Sequence, residues 1–293
     1  MKRIGMVVTV LVAALVVAAT AYADDGLLLR YKYKAGKADT YAVKGAMQGA
    51  MVGGPSPMPL TVNVDMRMTI KTTAVNDQGV ASQEMAIDRM AMTTETMGMQ
   101  MQMLLEGGKL SMLVDGKPME LPANVPGMEA LGQTFKAKVD ARGRVLELDL
   151  GSMGDMLGGF EPTALQQTTV FPEGPVAPGA TWSQEIKLPL NVMGQKMEVV
   201  MKYDYTFVGV EQYKGKEVAR ISFKGSGQTR AEGAQAPFSN MSQTFTGYEL
   251  FDYGAGVGPS AKIHLQQNMA GPAREGQPAP TMDMAGDFDV TLQ

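Results

Sequence analysis

Cysteine is absent from the sequence, and histidine and tryptophan occur once each. Without cysteine the chain forms no disulfide, no thiolate metal site and no thiol nucleophile, and it offers no cysteine for lipid attachment after a signal. The single histidine, His264, is flanked by Ile263 and Leu265, which places it on the polar side of an alternating strand with Lys262 and Gln266. No Ser/His/Asp set can form without it, and neither G-x-S-x-G nor H-E-x-x-H occurs. Positive charge is also scarce: 26 Lys and Arg stand against 30 Asp and Glu, a net charge of −4, and two of the bases, Lys2 and Arg3, lie in the leader. Nucleic acid is excluded as a partner on this ground, because phosphate binding needs clustered positive charge. Beyond the leader no apolar run approaches the ~20 residues that a membrane-spanning helix requires.

The leader itself is Met1 to Ala23. Lys2 and Arg3 form its charged start, Ile4 to Thr20 is almost wholly apolar, and Ala21-Tyr22-Ala23 is a small-x-small cleavage site. The alternative, an uncleaved anchor, is disfavoured by the short apolar run. The expectation is a cleaved signal peptide (1–23) and a periplasmic or secreted product. Residues 24–293 are then a single β-rich domain, or alternatively two β subdomains, 24–150 and 175–293. A chain of this size buries roughly three-quarters of its unfolded surface, so it needs no disulfide staples.

What the chain has in quantity is methionine, 26 residues of it, set in alternating runs. From Leu60 to Ala74 the even positions, including Val62, Val64, Met66, Met68 and Ile70, are apolar or Thr, and the odd positions are polar. Strict period-two alternation is a strand with one dry and one wet face. Asn76-Asp77-Gln78-Gly79 supplies a turn, and a further run ends in Met97, Met99, Met101 and Met103, four methionines read as one face of a strand. A change of apolar phase between Ile87 and Met90 predicts a β-bulge or a break near Arg89. Leu27 to Lys34 and Thr40 to Met47 read as the first strands, with a Gly/Pro-rich loop over 46–59. Turns follow at Asp115-Gly116, Asp140 to Gly143, Tyr213 to Lys216 and Asp252 to Gly256. Two stretches have helical character, Asn124–Gly132 and Ser152–Thr169. The expected fold is mainly β: one large curved antiparallel sheet of roughly ten strands, an open half-barrel, with two short helices from mid-chain covering its concave face.

Three segments carry a family likeness. Leu131-Gly132-Gln133-Thr134-Phe135 through Val139-Asp140 with Gly143-Arg144-Val145, Phe171-Pro172-Glu173-Gly174 with Gly179-Ala180-Thr181-Trp182, and Gly247-Tyr248-Glu249-Leu250-Phe251-Asp252 with Gly256 together resemble a bacterial secreted family known as a domain of unknown function. By shape such proteins are similar to the lipoprotein-carrier and mycobacterial lipid-carrier superfamily. That likeness implies an unclosed half-barrel over short helices with an apolar cavity between them. It brings no catalytic residues, and this chain lacks the anchoring cysteine of the lipoprotein members.

The methionines admit three readings. A thioether row suits Cu(I), yet no His or Cys stands beside it. Methionine also packs ordinary cores, and burying each side chain is worth roughly 1.5–3 kcal/mol. Between these lies a flexible, polarizable lining for varied apolar ligands. The candidate lining is Val64, Met66, Met68, Met97, Met99, Met101 and Met103, and the expected guest is a lipid or other hydrophobic small molecule. The alternative function is a structural or protein-interaction domain with a filled core. Asp283, Asp287 and Asp289 share the wet face of the last strand at a spacing that matches no calcium loop. Gly254 to Gly258 precedes a strand rather than a helix and reads as a hairpin turn, not a phosphate loop. Trp182 reads as a packing anchor. The expectation is a non-catalytic protein without a cofactor or metal.

Overall fold

The computed structural model describes residues 26–53, 56–119, 133–151, 169–192, 195–231, 240–271 and 279–293. Fourteen strands run along them: β1 Ala38–Val52, β2 Met58–Val75, β3 Ala81–Thr96, β4 Met99–Glu106, β5 Lys109–Val114, β6 Lys117–Met119 and β7 Phe135–Val139 in the first half, then β8 Val145–Asp149, β9 Thr181–Val192, β10 Gln195–Tyr213, β11 Lys216–Ala231, β12 Asn240–Asp252, β13 Val257–Ala270 and β14 Thr281–Leu292. All belong to one open sheet with the order β6-β5-β4-β3-β2-β1-β14-β13-β12-β11-β10-β9, and the β7–β8 hairpin branches from β3. Each pairing is antiparallel, as short turns between strands require.

The strand count exceeds the expected ten because the Met-rich stretch is folded into hairpins. Met97-Gly98 is itself a two-residue turn, with φ of 49° and 79°. Both central residues at positive φ define the hairpin turn whose twist matches its strands. The same geometry closes Asp115-Gly116 (50°, 74°) and Lys214-Gly215 (49°, 78°). The predicted bulge is present: Arg67 faces Arg89 and Met68 faces Ile87, leaving Asp88 as the extra residue. The Thr69 hydroxyl donates to the Asp88 carboxylate at 2.7 Å. Here β3 also changes partner, with Ala81–Met85 on β7 and Arg89–Thr96 on β4. The expected covering helices gain no support. No helix occurs among the described residues, and Asn124–Gly132 and Ser152–Thr169 lie outside them apart from Thr169, as does the leader.

Residues 26–37, which include the strand expected over Leu27 to Lys34, instead run as a strap across one end of the sheet. Leu27 exchanges backbone hydrogen bonds with Val176 at 2.8 and 3.0 Å. Tyr31 N–H donates to Ala141 O, Lys32 N–H to Gly256 O and Gly36 N–H to Thr72 O. A dry core lies beneath it, made of Leu29, Phe171, Val176, Phe207, Ile221 and Phe251 with Tyr205 and Ala219. Tyr31 stacks on Phe171 at 5.1 Å, and Phe171 meets Phe251 at 4.6 Å.

The sheet does not lie flat. From β3 to β9 there are eight interstrand steps, which at about 4.8 Å each would span roughly 38 Å. Yet Val145 and Leu146 of β8, on the branch from β3, line one cleft with Trp182, Gln184 and Ile186 of β9. Arg142, in the turn before β8, donates to Phe171 O at 2.7 Å and pairs with Glu173 at 2.7 Å. Glycines on one face accommodate the bend, and aromatic rings from neighbouring strands lie over them. A Cβ on Gly45 would come within 2.1 Å of the Phe288 ring, and one on Gly225 within 2.1 Å of the Phe245 ring. Gly45→Val is therefore expected to destabilise the protein by about 1–3 kcal/mol through overpacking. The denaturation midpoint should fall with the slope of the transition unchanged, and an unshifted midpoint would show that the ring can move aside.

Candidate functional site

Residues directly opposed across antiparallel strands share a face, so the register assigns each side chain to one side of the sheet. One row runs Met112, Met103, Met92, Val64, Gly45, Phe288, Ile263, Gly247, Phe223, Tyr205, Trp182 from β5 to β9. A second, toward the strap, runs Leu105, Met90, Met66, Val43, Val290, Ala261, Glu249, Ile221, Phe207. Three more rows run in the other direction. The first contains Met101, Val62, Met47, Leu265 and Phe245. The next contains Met99, Leu60, Met284, Gln267 and Met201. The last is Met58, Met51, Met282, Met269, Met241, five methionines on five adjacent strands, followed by Thr229.

The other face is polar and locally paired. Lys262 bonds Asp289 at 3.2 Å, His264 Nδ1 lies 2.9 Å from Asp287, and Asn268 donates to Asp283. His264 is thus where the alternation placed it, and the three aspartates of β14 each face a β13 side chain. Exposed pairs of this kind are worth little, about 0–1 kcal/mol each.

Most of the predicted lining stands on the apolar face. Val64, Met66, Met103, Met101 and Met99 occupy the rows above, and Met68 faces Tyr41 of β1 in the next row toward the strap. Met97 does not belong: it sits in the β3–β4 turn and is 67% exposed. The expected four-thioether row is therefore three residues, because methionine occupies a turn position that its composition does not announce. The rim row of five methionines was not legible in any single strand, since it exists only across strand pairings. Gln267 Nε2 donates to the Met241 sulfur at 2.9 Å.

This apolar face is incompletely covered. Leu105, Ile221, Phe207 and Phe245 are buried, but Val43, Val64, Met66, Met90, Met92, Met103, Ile263, Leu265, Phe288 and Val290 are only half-buried. Among the described residues, three buried side-chain polar atoms have no hydrogen-bond partner: Trp182 Nε1, Thr229 Oγ1 and Glu249 Oε1. All three side chains belong to this face.

Glu249 is the one carboxylate in these five rows, between Ala261 of β13 and Ile221 of β11. The residue as a whole is half-buried, yet Oε1 is sealed from solvent. Burial pushes its carboxyl up to about 7, and a hydrogen bond with Thr169 opposes the shift. The phenols of Tyr31 and Tyr205 are pushed up, first by their own burial and then by the charge of Glu249. Tyr41 is raised by burial, by Asp39 and by Glu249. The sequence carries a signal for Glu249, which stands at the apolar parity of β12 with Phe245, Gly247 and Phe251.

No family model and no curated protein matches the chain. Among solved structures, lipovitellin, studied for its lipid–protein interactions, aligns with 89% of this chain at 10% identity and a TM-score of 0.41, and the chain spans 25% of its length. An outer membrane channel from Pseudomonas putida F1 aligns with 92% of this chain and 98% of its own at 7% identity and a TM-score of 0.25. A DUF1329 family protein from Desulfovibrio piger aligns with 87% of this chain and 85% of its own at 11% identity and a TM-score of 0.15. These likenesses are too slight to assign a fold family or an activity.

The Glu249 carboxyl has a testable consequence for stability. Its folded-state pKa of about 7 stands above the ordinary 4.5, so the folded protein holds this proton more tightly than the unfolded chain. Its contribution is complete below about pH 4.5 and is lost as pH rises through about 7. Thermal unfolding at about pH 5 and about pH 8 should show lower stability at the higher pH, and Glu249→Gln should reduce that difference. An identical difference in the variant would mean that other groups carry it.

Proposed function

We propose that the protein is an exported, non-catalytic carrier or binding module for a lipid or another hydrophobic molecule, which lies along the apolar face of a sheet curved into a half-barrel. The observation that carries this reading is the contrast between the two faces. One is polar and locally paired; the other presents apolar rows, the longest across eleven strands, yet leaves most of their side chains half-buried. Contiguous apolar surface of this extent marks an interaction site. Each side chain that a guest covers contributes up to roughly 1.5–3 kcal/mol if fully buried.

The dimensions and composition suit a chain-like guest. From Glu249 to Met241 along β12 the face extends eight residues, about 26 Å at 3.3 Å per residue. A bilayer leaflet gives one acyl chain about 15 Å, half of the ~30 Å hydrocarbon core. Methionine has three rotatable side-chain bonds and a polarizable sulfur, so a Met-rich wall adapts to guests of several shapes. The absence of a nucleophile–base set from the sequence agrees with a binding rather than a catalytic role.

Protein purified gently from its native compartment should carry stoichiometric lipid detectable by extraction and mass spectrometry. Ile263→Gln/Leu265→Gln, which places two amides on β13 beside Gly247 and Phe245 of β12, should lower that occupancy several-fold while the protein stays folded. Repeated absence of any guest, with no protection against thermal unfolding by added phospholipids or fatty acids, would refute the carrier role.

A further inference from the structure

Glu249 is the least expected side chain on the apolar face. The five rows contain no Lys, Arg or His to pair with it, and its Oε1 lacks a hydrogen-bond partner. It also stands at a boundary. Two residues along β12 in one direction, Phe251 is 1% exposed in the dry core beneath the strap. In the other direction the same strand face leads through Gly247, Phe245 and Gln243 to the rim methionine Met241. A carboxyl at this position closes the far end of an apolar track.

The groups around it are polar but uncharged. Thr169 bonds the carboxyl. Tyr31, whose hydroxyl lies 3.4 Å from Thr169 O, comes from the strap, Tyr41 from β1 and Tyr205 from β10, and all three feel the carboxylate charge. Tyr205 OH is engaged with Gln184 Oε1 at 3.5 Å. None of these neighbours is a cation, so an ionised Glu249 has only hydrogen-bond donors to stabilise it.

We propose that Glu249 is the polar anchor of the apolar track, accepting hydrogen bonds at Oε1 from an amphiphile whose head group is itself a donor, an ammonium or a hydroxyl. This deepens the carrier reading and rests on it. The apolar tail follows β12 toward the methionine rim, and the head displaces the side chains that seal Oε1 and satisfies the carboxyl oxygen that has no partner in the protein. A carboxylate- or phosphate-headed amphiphile would bring like charge against Glu249 and is selected against. Selectivity for the head group therefore resides in one residue, while the rows of methionine and aliphatic side chains supply affinity without selecting among tails.

The test uses an environment-sensitive apolar dye bound to the purified full chain, displaced at about pH 8 by three octadecyl amphiphiles that differ only in the head: amine, alcohol and carboxylate. The wild type should bind the amine and the alcohol at least tenfold more tightly than the carboxylate. Glu249→Gln, which keeps the shape and removes the charge, should lose the preference for the amine by about tenfold. Glu249→Leu should lose the preference for the alcohol as well; if it does not fold, the Gln variant decides. Dye binding with equal affinity for the three heads, or an unaltered preference in the Gln variant, would overturn the anchor and leave the apolar site standing. A wild type that binds neither dye nor amphiphile would overturn both.

Discussion

Everything in this sheet depends on the pairing of β1 with β14. Twelve residue pairs, from Tyr41 with Leu292 to Val52 with Thr281, join strands from opposite ends of the sequence at the centre of the strand order. Without that ladder β6 to β1 and β14 to β9 would be two separate sheets, each with a long unpaired edge. The register is fixed by side-chain alternation. A slip of one residue would carry Lys44 and Asp289 onto the dry side and Val43 and Val290 into water. Contacts so distant in sequence form late and slowly, because loop closure must precede the stabilisation they bring.

The same register converts a sequence pattern into a surface. Period-two alternation in one strand yields a stripe; twelve strands in register yield a wall. Its two ends differ. Beneath the strap, phenylalanines and tyrosines interlock into a dry core, and toward the far end methionines line the rim. Rigid rings fix the closed end, and unbranched thioethers leave the open end adaptable. The outermost strands are made unsuitable for joining other chains: β6 is three residues long and contains Pro118, and Pro189 interrupts the donors of β9.

Much of this was legible in the sequence. Strand identity and facing followed from the alternation of Leu60–Ala74, and the phase change in β3 pointed to an irregularity near Arg89, one residue from the bulge at Asp88. Asp115-Gly116 and Lys214-Gly215 announced their turns because Asp and Gly favour positive φ. Met97-Gly98 did not, because methionine is no turn former and its spacing continues the apolar period of β4. The strap over 27–34 alternates like a strand, and its fate is decided by distant partners, Val176 and Gly256, that no local pattern reveals. The rim row and the placement of Glu249 share that property, since both are consequences of pairing between strands that are far apart in the chain.

The central ladder also sets an order of events during synthesis. β1 is synthesised first of all the strands and its second partner last. Until β14 has been made, the apolar half formed by β1 to β6 therefore has an unpaired inner edge and an uncovered greasy face. Completion is controlled by the arrival of β14, so the interval before it is when a holding chaperone would be most needed.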